Sequence, residues 1–525
     1  MEDVAQMKYA CLISNNDYSN YTPNQLIQYL AALIDLSFDL EKIEGTIKAL
    51  DIIEQTDTAS MTSGQKAYFF YCASNAWANK YHFERTTSPD NKSQWKWDPV
   101  DIEKEIYYLR SSINEQDFEI LQDQFKCNVF TNLANAYDEV GRFIEALEYW
   151  DRALEINSKF PMALGNAGQG QVNYAQYIYD PGHQGIFIRN ARIKLSSAVT
   201  LLSNIPEYSS ALQTFRRILN KVENMVGKNP DHTCLEKKYS LGRSTSEKSY
   251  RGWCLHHRLF LNPLNDLGNF PIAARDIITT PDMVTSIDVG PRYQGFYNQM
   301  KQEFVSARYL CFDGIQNNSC HFSDRGVLLY DTLDYPSYCL GVEKVKIAYR
   351  VAYSLFDKIA YFLNEYLGFG KNPDKVYFRT IWYVDNKKFQ PILEAKINLP
   401  LRGLYWLSKD LYTEESGYNQ NVEPDARNLY MIRNHLEHKY FKLHDILIPE
   451  AEISTSKQVQ DDLAFSISRH DFEKKTIRLL RLIRNALIYL SLAIRNEEKD
   501  RNEKRDPGSF IIPIISDLWD DDWKQ

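Results

Sequence analysis

Residues Cys127–Phe160 read CNVFTNLANAYDEVGRFIEALEYWDRALEINSKF. Small Ala134, Ala146 and Ala153 alternate with bulky Leu133, Tyr137, Phe143, Leu147, Trp150 and Leu154, and Gly141 divides the run in two. Two antiparallel helices need this pattern, because small side chains let the axes approach while large ones fill the grooves between them. The stretch is therefore a helical hairpin with Gly141 in its turn.

The hairpin resembles a tetratricopeptide repeat, glycine turn included, with Ser158 in place of the usual closing proline. A single repeat cannot bury its own face, so neighbours are expected on both sides. Downstream, Pro161 is followed by MALGNAGQGQVNYAQY, with Ala167 and Gly168 where a following helix needs small residues. Upstream, Lys66–Phe83 and Asp101–Ile113 form a degenerate pair separated by a long insertion. Residues 1–230 thus read as an irregular helical solenoid, whose usual work is to hold a protein or peptide partner in a groove. A helical bundle with no ligand is the plainer alternative.

The chain has 525 residues, 44% apolar and 25% charged, with 35 Tyr, 26 Phe and 9 Trp. That is globular composition with ample material for cores, and it excludes global disorder and collagen-like classes. A formal charge of −8 gives no bulk attraction for nucleic acid, so a polyanion site has to be a local basic cleft. The 8 cysteines form no CxxC pair and read as reduced thiols. The N-terminus MEDVAQMKYACLISNN has no signal-peptide core, and the uncharged run Asn485–Ile494 is half of a membrane span. A cytoplasmic protein with no membrane association is expected.

Residues 231–334 carry turn clusters such as NPLNDLGNFP, TTPD and VGPRYQG, and read as an irregular connecting region with a helix over Gln294–Cys311. After Tyr335 four helical signals follow, over Ser337–Leu367, Leu399–Tyr412, Pro424–Leu447 and His470–Arg501. The first spaces Val345, Ala348, Ala352, Leu355, Ile359, Phe362 and Tyr366 at threes and fours. The last does the same with Leu480, Ile483, Leu487, Leu490 and Ile494. Such stripes are bundle core, so 335–505 reads as a helical bundle and 506–525 as a tail. The fold class is all-α.

The third of these helices contains Arg433, Asn434, His435, Leu436, Glu437, His438, Lys439, Tyr440 and Phe441. At 100° per residue Ile432, Leu436, Tyr440 and Leu443 share an apolar stripe, which makes Tyr440 core. Arg433, Asn434, Glu437, His438 and Phe441 fill the adjoining arc, and Asn434 and His438 stand one turn apart. The segment R-N-x-L-x-H-x-Y-F resembles the HEPN superfamily, whose signature is Arg, a polar residue, a few spacers and His in a helical bundle. Repeats followed by a C-terminal HEPN domain also match a known bacterial arrangement. The bare pattern R-x(4)-H arises by chance on the order of once in such a chain, and Arg251 with His256 satisfies it too. Asn434, Tyr440 and the amphipathic context lower that expectation to well below roughly one in a hundred. Arg484-Asn485 begins a similar pattern, with Tyr489 where His would stand.

The resemblance implies a metal-independent endoribonuclease that requires no cofactor and acts as a homodimer. Its RNA substrate could be tRNA, its product a 2′,3′-cyclic phosphate, and its setting antiphage defence or a toxin system. Arg433, Asn434 and His438 are then the catalytic candidates. An imidazole titrates near pH 6.5 and manages protons, and a guanidinium forks onto phosphate oxygens. Asn434 would orient the imidazole or bond the phosphate. Glu437, one turn from Arg433, is a candidate regulator that could neutralise it. Tyr440 is a second regulatory candidate, because a Tyr two places after His recurs in HEPN toxins that are modified with AMP. Asp357 and Lys358 are polar positions that could reach the cleft. The rival reading is a non-catalytic interaction protein in which repeats and bundle both bind partners; nucleotide binding in the HEPN cleft is a third.

Other chemistries find less support. His232, Cys234, Cys254, His256 and His257 could contribute to a zinc set, but their spacing is not a standard zinc pattern. The sequence holds no GxxxxGK[ST], no GxGxxG after a strand, no HExxH and no GxSxG.

Overall fold

The computed structural model describes residues 2–87, 95–226, 239–286, 288–317, 319–385, 388–411, 426–445, 461, 463–506, 508, 511–512, 519 and 521–524. Ten helices come first: α1 (Glu2–Ser14), α2 (Pro23–Asp39), α3 (Ile43–Gln55), α4 (Ser63–Thr87), α5 (Val100–Asn114), α6 (Asp123–Glu139), α7 (Phe143–Ile156), α8 (Pro161–Ala175), α9 (Pro181–Leu202) and α10 (Ser209–Val226). Consecutive helices pack in pairs, α4 on α5, α6 on α7 and α8 on α9, as the small-large alternation requires. Gly170 lies so close to Trp150, and Gly168 to Leu195, that a Cβ on either would force its neighbour to move. The glycines of α8 thus set the distance to α7 and α9.

Beyond the solenoid come α11 (Thr245–His256), α12 (Arg292–Gln316), α13 (Leu340–Leu367), the single turn α14 (Pro391–Glu394), α15 (Leu399–Ser408), α16 (Ala426–His438) and α17 (Arg469–Glu503). Helix α12 runs along α13, and α17 lies against α12, α13 and α15. The all-α class holds, with one addition: strands β1 (Tyr440–His444) and β2 (Ala464–Ser468) pair in parallel, Tyr440 opposite Ala464 and His444 opposite Ser468.

That pair corrects the expected helix Pro424–Leu447. Helix α16 ends at His438 and the chain turns into β1. Phe441 stacks on Phe465 across the pair, 5.9 Å between ring centroids, and packs on Phe472 of α17 at 5.3 Å. The ladder is closed by a partner more than 20 residues downstream, which outweighs the local helical period. Tyr440 therefore leaves the apolar stripe: it is 39% exposed, not core, and Phe441 is buried rather than on the polar arc. Pro424 and Tyr412 lie outside the described residues.

One apolar core runs without interruption from Ala67 in α4 to Ile494 in α17, so solenoid and bundle share it. Smaller cores lie at the solenoid ends, one spanning Tyr9–Ala76 and one Leu164–Val222. At the junction Gly141, in the α6–α7 turn at φ +86°, meets Gly403 of α15 backbone to backbone. No described helix is long and apolar enough to cross a membrane.

Candidate active site

Helix α16 is amphipathic. Leu429, Ile432 and Leu436 are buried, and Tyr349 of α13 donates its hydroxyl to the Leu429 carbonyl at 2.8 Å. At the other end Arg350 of α13 donates to the Leu436 carbonyl at 2.7 Å. A cation on a last-turn carbonyl favours a helix C-terminus, so α13 fixes the turn that carries His438.

Arg433, partly buried, lines a small cavity of about 110 Å³ together with Tyr353, Asp357, Arg379 and Tyr430. Its guanidinium sits 5.9 Å from the centre of the Tyr353 ring, and Arg379 sits 5.1 Å from that of Tyr430. Asp357 accepts from the Phe378 amide at 3.0 Å. Burial raises the Asp357 carboxyl above its ordinary range, while that amide and the two arginines hold part of the rise back. The cavity is thus two cations around one carboxylate, walled by aromatic rings.

Asn434 is partly buried; Glu437 and His438 are exposed. Among the described residues the side chains of Asn434 and His438 have no hydrogen-bond partner, and Glu437 makes no ion pair with Arg433. His435 is committed elsewhere, its Nδ1 2.8 Å from the Met431 carbonyl and its ring against Phe465. Of the candidates, then, Arg433 and Asp357 come together in one cavity, while Asn434 and His438 lie on the accessible end of the same helix. Lys358 points away, paired with Glu303 of α12. Tyr440 is within reach of solvent, with the Lys442 ammonium 5.1 Å from its ring centre.

Sequence reasoning missed Arg350, Arg379 and Tyr430. Tyr430 stands three residues before Arg433 on one helix and was findable from that spacing; Arg379 and Arg350 gave no local signal. Among the described residues no group of three or more His, Cys, Asp or Glu could hold a metal ion. His232 and Cys234 lie outside the described residues.

The two look-alike motifs are put to other uses. Arg251 pairs with Glu247 on the face of α11. Arg484 is fully buried, paired with Asp266 and donating to the carbonyls of Phe260 and Asn262 at 2.8 Å each. Asn485 donates to Glu145 of α7 at 3.2 Å, and Tyr489 donates to the same carboxylate at 2.6 Å while accepting from the Ile144 amide at 2.9 Å. This second Arg-Asn segment clamps solenoid to bundle.

Residues 284–497 match the family model of the LA2681-like HEPN domain, and residues 127–160 match that of the tetratricopeptide repeat. The first match begins inside the stretch that the sequence reads as connecting, and it includes α12. No curated protein and no solved structure matches the chain.

Proposed function

We propose that this protein, a tetratricopeptide repeat followed by an LA2681-like HEPN domain, is a metal-independent endoribonuclease whose chemistry rests on Arg433, Asn434 and His438. The observation that carries the reading is their placement on one helix within the HEPN match. Arg433 lines a cavity walled by aromatic rings, and His438 stands unpartnered among the described residues at the open end. RNA cleaves by attack of the 2′-hydroxyl oxygen on phosphorus as the bond to the 5′-oxygen breaks. The 2′-hydroxyl proton is released and the leaving oxygen gains one, which gives a 2′,3′-cyclic phosphate and a 5′-hydroxyl. His438 handles one of those protons and Arg433 holds the charge growing on the phosphate. Asn434 bonds the phosphate or the imidazole. The tyrosine rings beside Arg433 suit a stacked base.

The active form in this reading is a homodimer through the HEPN domain, acting in antiphage defence or as a toxin. The strap Val327–Tyr338 supports the dimer: Leu328 and Tyr330 are each 96% exposed. The strap also adjoins β1, where the Ser337 amide donates to the Leu443 carbonyl at 2.7 Å. A second copy would cover it beside β1, the strand that follows the motif helix. The solenoid recruits or senses a protein or peptide partner.

The test is turnover of a fluorescent RNA by wild type and by Arg433→Ala, Asn434→Ala and His438→Ala at matched helicity. The reading requires loss of at least a hundredfold for His438→Ala. Variants as active as wild type would move the chemistry off these residues, and no turnover by wild type would leave the rival, a scaffold in which repeats and bundle only bind partners.

A further inference from the structure

The cavity at the junction between solenoid and bundle, about 220 Å³, belongs to neither the motif helix nor any catalytic candidate. Five arginines line it: Arg110, Arg142 and Arg152 from the solenoid, Arg478 and Arg481 from α17. Three carboxylates face them, and each is divided among several donors. Asp410 is held by Arg110 at 2.7 Å and by Arg142 at 2.9 Å. Glu148 is held by Arg152 at 2.8 Å and Arg481 at 2.9 Å. Glu145 accepts from Arg142 at 3.0 Å as well as from Asn485 and Tyr489. Among the lining residues the arginines outnumber the carboxylates, five to three.

Arg142 is 1% exposed, and its Nε and Nη1 have no hydrogen-bond partner among the described residues. Leaving such donors unmet in a buried site is costly. Its guanidinium lies over the Tyr137 ring at 4.7 Å, as that of Arg152 lies over Tyr149 at 4.7 Å. A guanidinium stacked on a ring keeps its N–H groups in the plane, free to fork onto an oxyanion.

We infer that this cavity is a binding site for a small phosphate monoester or free phosphate, gripped at once by solenoid and bundle. A phosphate monoester carries about −1.5 to −2 charges near neutral pH, which suits a cavity lined by more arginines than carboxylates, and it offers the tetrahedral oxygens that the unmet Arg142 donors need. The volume is below the roughly 300–1,000 Å³ of pockets that enclose a whole drug-sized ligand, so the phosphate and its immediate attachment fill it. Because Arg110 and Arg142 come from one half and Arg481 from the other, the ligand bridges the junction.

The experiment is calorimetry and thermal melting of the full chain carrying His438→Ala, with inorganic phosphate and with nucleoside 5′-monophosphates, against chloride of equal ionic strength. Saturable binding with a raised Tm is expected. Arg481→Gln and Arg152→Gln, which change partly exposed positions, should weaken it at least tenfold, with each variant's melt in chloride taken as its own baseline because each loses a Glu148 pair; Arg142→Lys serves as a conservative third variant. Tighter binding of the mononucleotides would identify a nucleotide as the source of the phosphate, and equal binding would identify free phosphate. No saturable response, or one unchanged in all three variants, overturns the inference. No RNA enters the assay, so its failure and that of the ribonuclease reading are distinguishable.

Discussion

Arg433 of α16 and Asp357 of α13 line the same cavity, so the guanidinium proposed to hold a scissile phosphate already has a carboxylate beside it. An incoming phosphate competes with that carboxylate. Asp357→Asn keeps an acceptor for the Phe378 amide and removes the competitor. Binding of a 2′-O-methyl RNA, which cannot be cleaved, should tighten several-fold; unchanged affinity in fluorescence anisotropy would show that RNA does not meet Arg433.

The strap beside β1 gives a second prediction. Leu328→Asp combined with Tyr330→Asp puts two charges on an exposed apolar surface. Light scattering should show a dimer for wild type and a monomer for the variant, with RNA cleavage falling in step. A variant that stays dimeric removes the strap from the interface.

Gly141 and Gly403 touch through their backbones at the junction. A methyl group at Gly403 would collide with the Gly141 carbonyl, a wall that cannot rotate away. Gly403→Ala should cost about 2 kcal/mol or more in urea unfolding. Gly141→Ala should cost a similar amount, since φ +86° also disfavours any side chain there. The two penalties should add only in part, because both push the same two backbone segments apart while the φ strain belongs to Gly141 alone.

Acid should loosen the same junction. Burial alone would raise the Glu148 carboxyl, but Arg481, Arg152 and Arg258 pull it down to about 2, against an ordinary value of 4.5. A carboxyl depressed on folding stabilises the protein above its unfolded pKa, and that stabilisation is lost as pH falls through the folded value. Asp410 is likewise lowered, by Arg110 and Arg142 against its burial. Tm should therefore drop between about pH 4.5 and 2, and Glu148→Gln should shrink that drop. An unchanged profile in the variant contradicts the assignment.

The helical hairpin around Gly141 and the long stripes of α13 and α17 were legible because their information is local, a period of three and four. The segment beyond His438 was not. β1 exists because Ala464–Ser468 pairs with it, and no local period reports a partner so far along the chain. Tyr440 departs from the expected stripe for that reason alone. The glycine at 141 was legible as a turn but not as the contact with Gly403, and Arg484-Asn485 looked like a broken motif although its side chains clamp two halves together. Arg433, Asn434 and His438 were nameable from spacing and Asp357 as a polar position on the first long helix, whereas the Arg379 that shares the Arg433 cavity required the fold.

The most direct test of the central claim is to incubate wild type and His438→Ala with total RNA and with tRNA in EDTA, and to determine the chemistry of the new ends. The account predicts cleavage by wild type alone, leaving 2′,3′-cyclic phosphate and 5′-hydroxyl ends. Cleavage by both proteins alike, or ends bearing a 3′-hydroxyl, would contradict it.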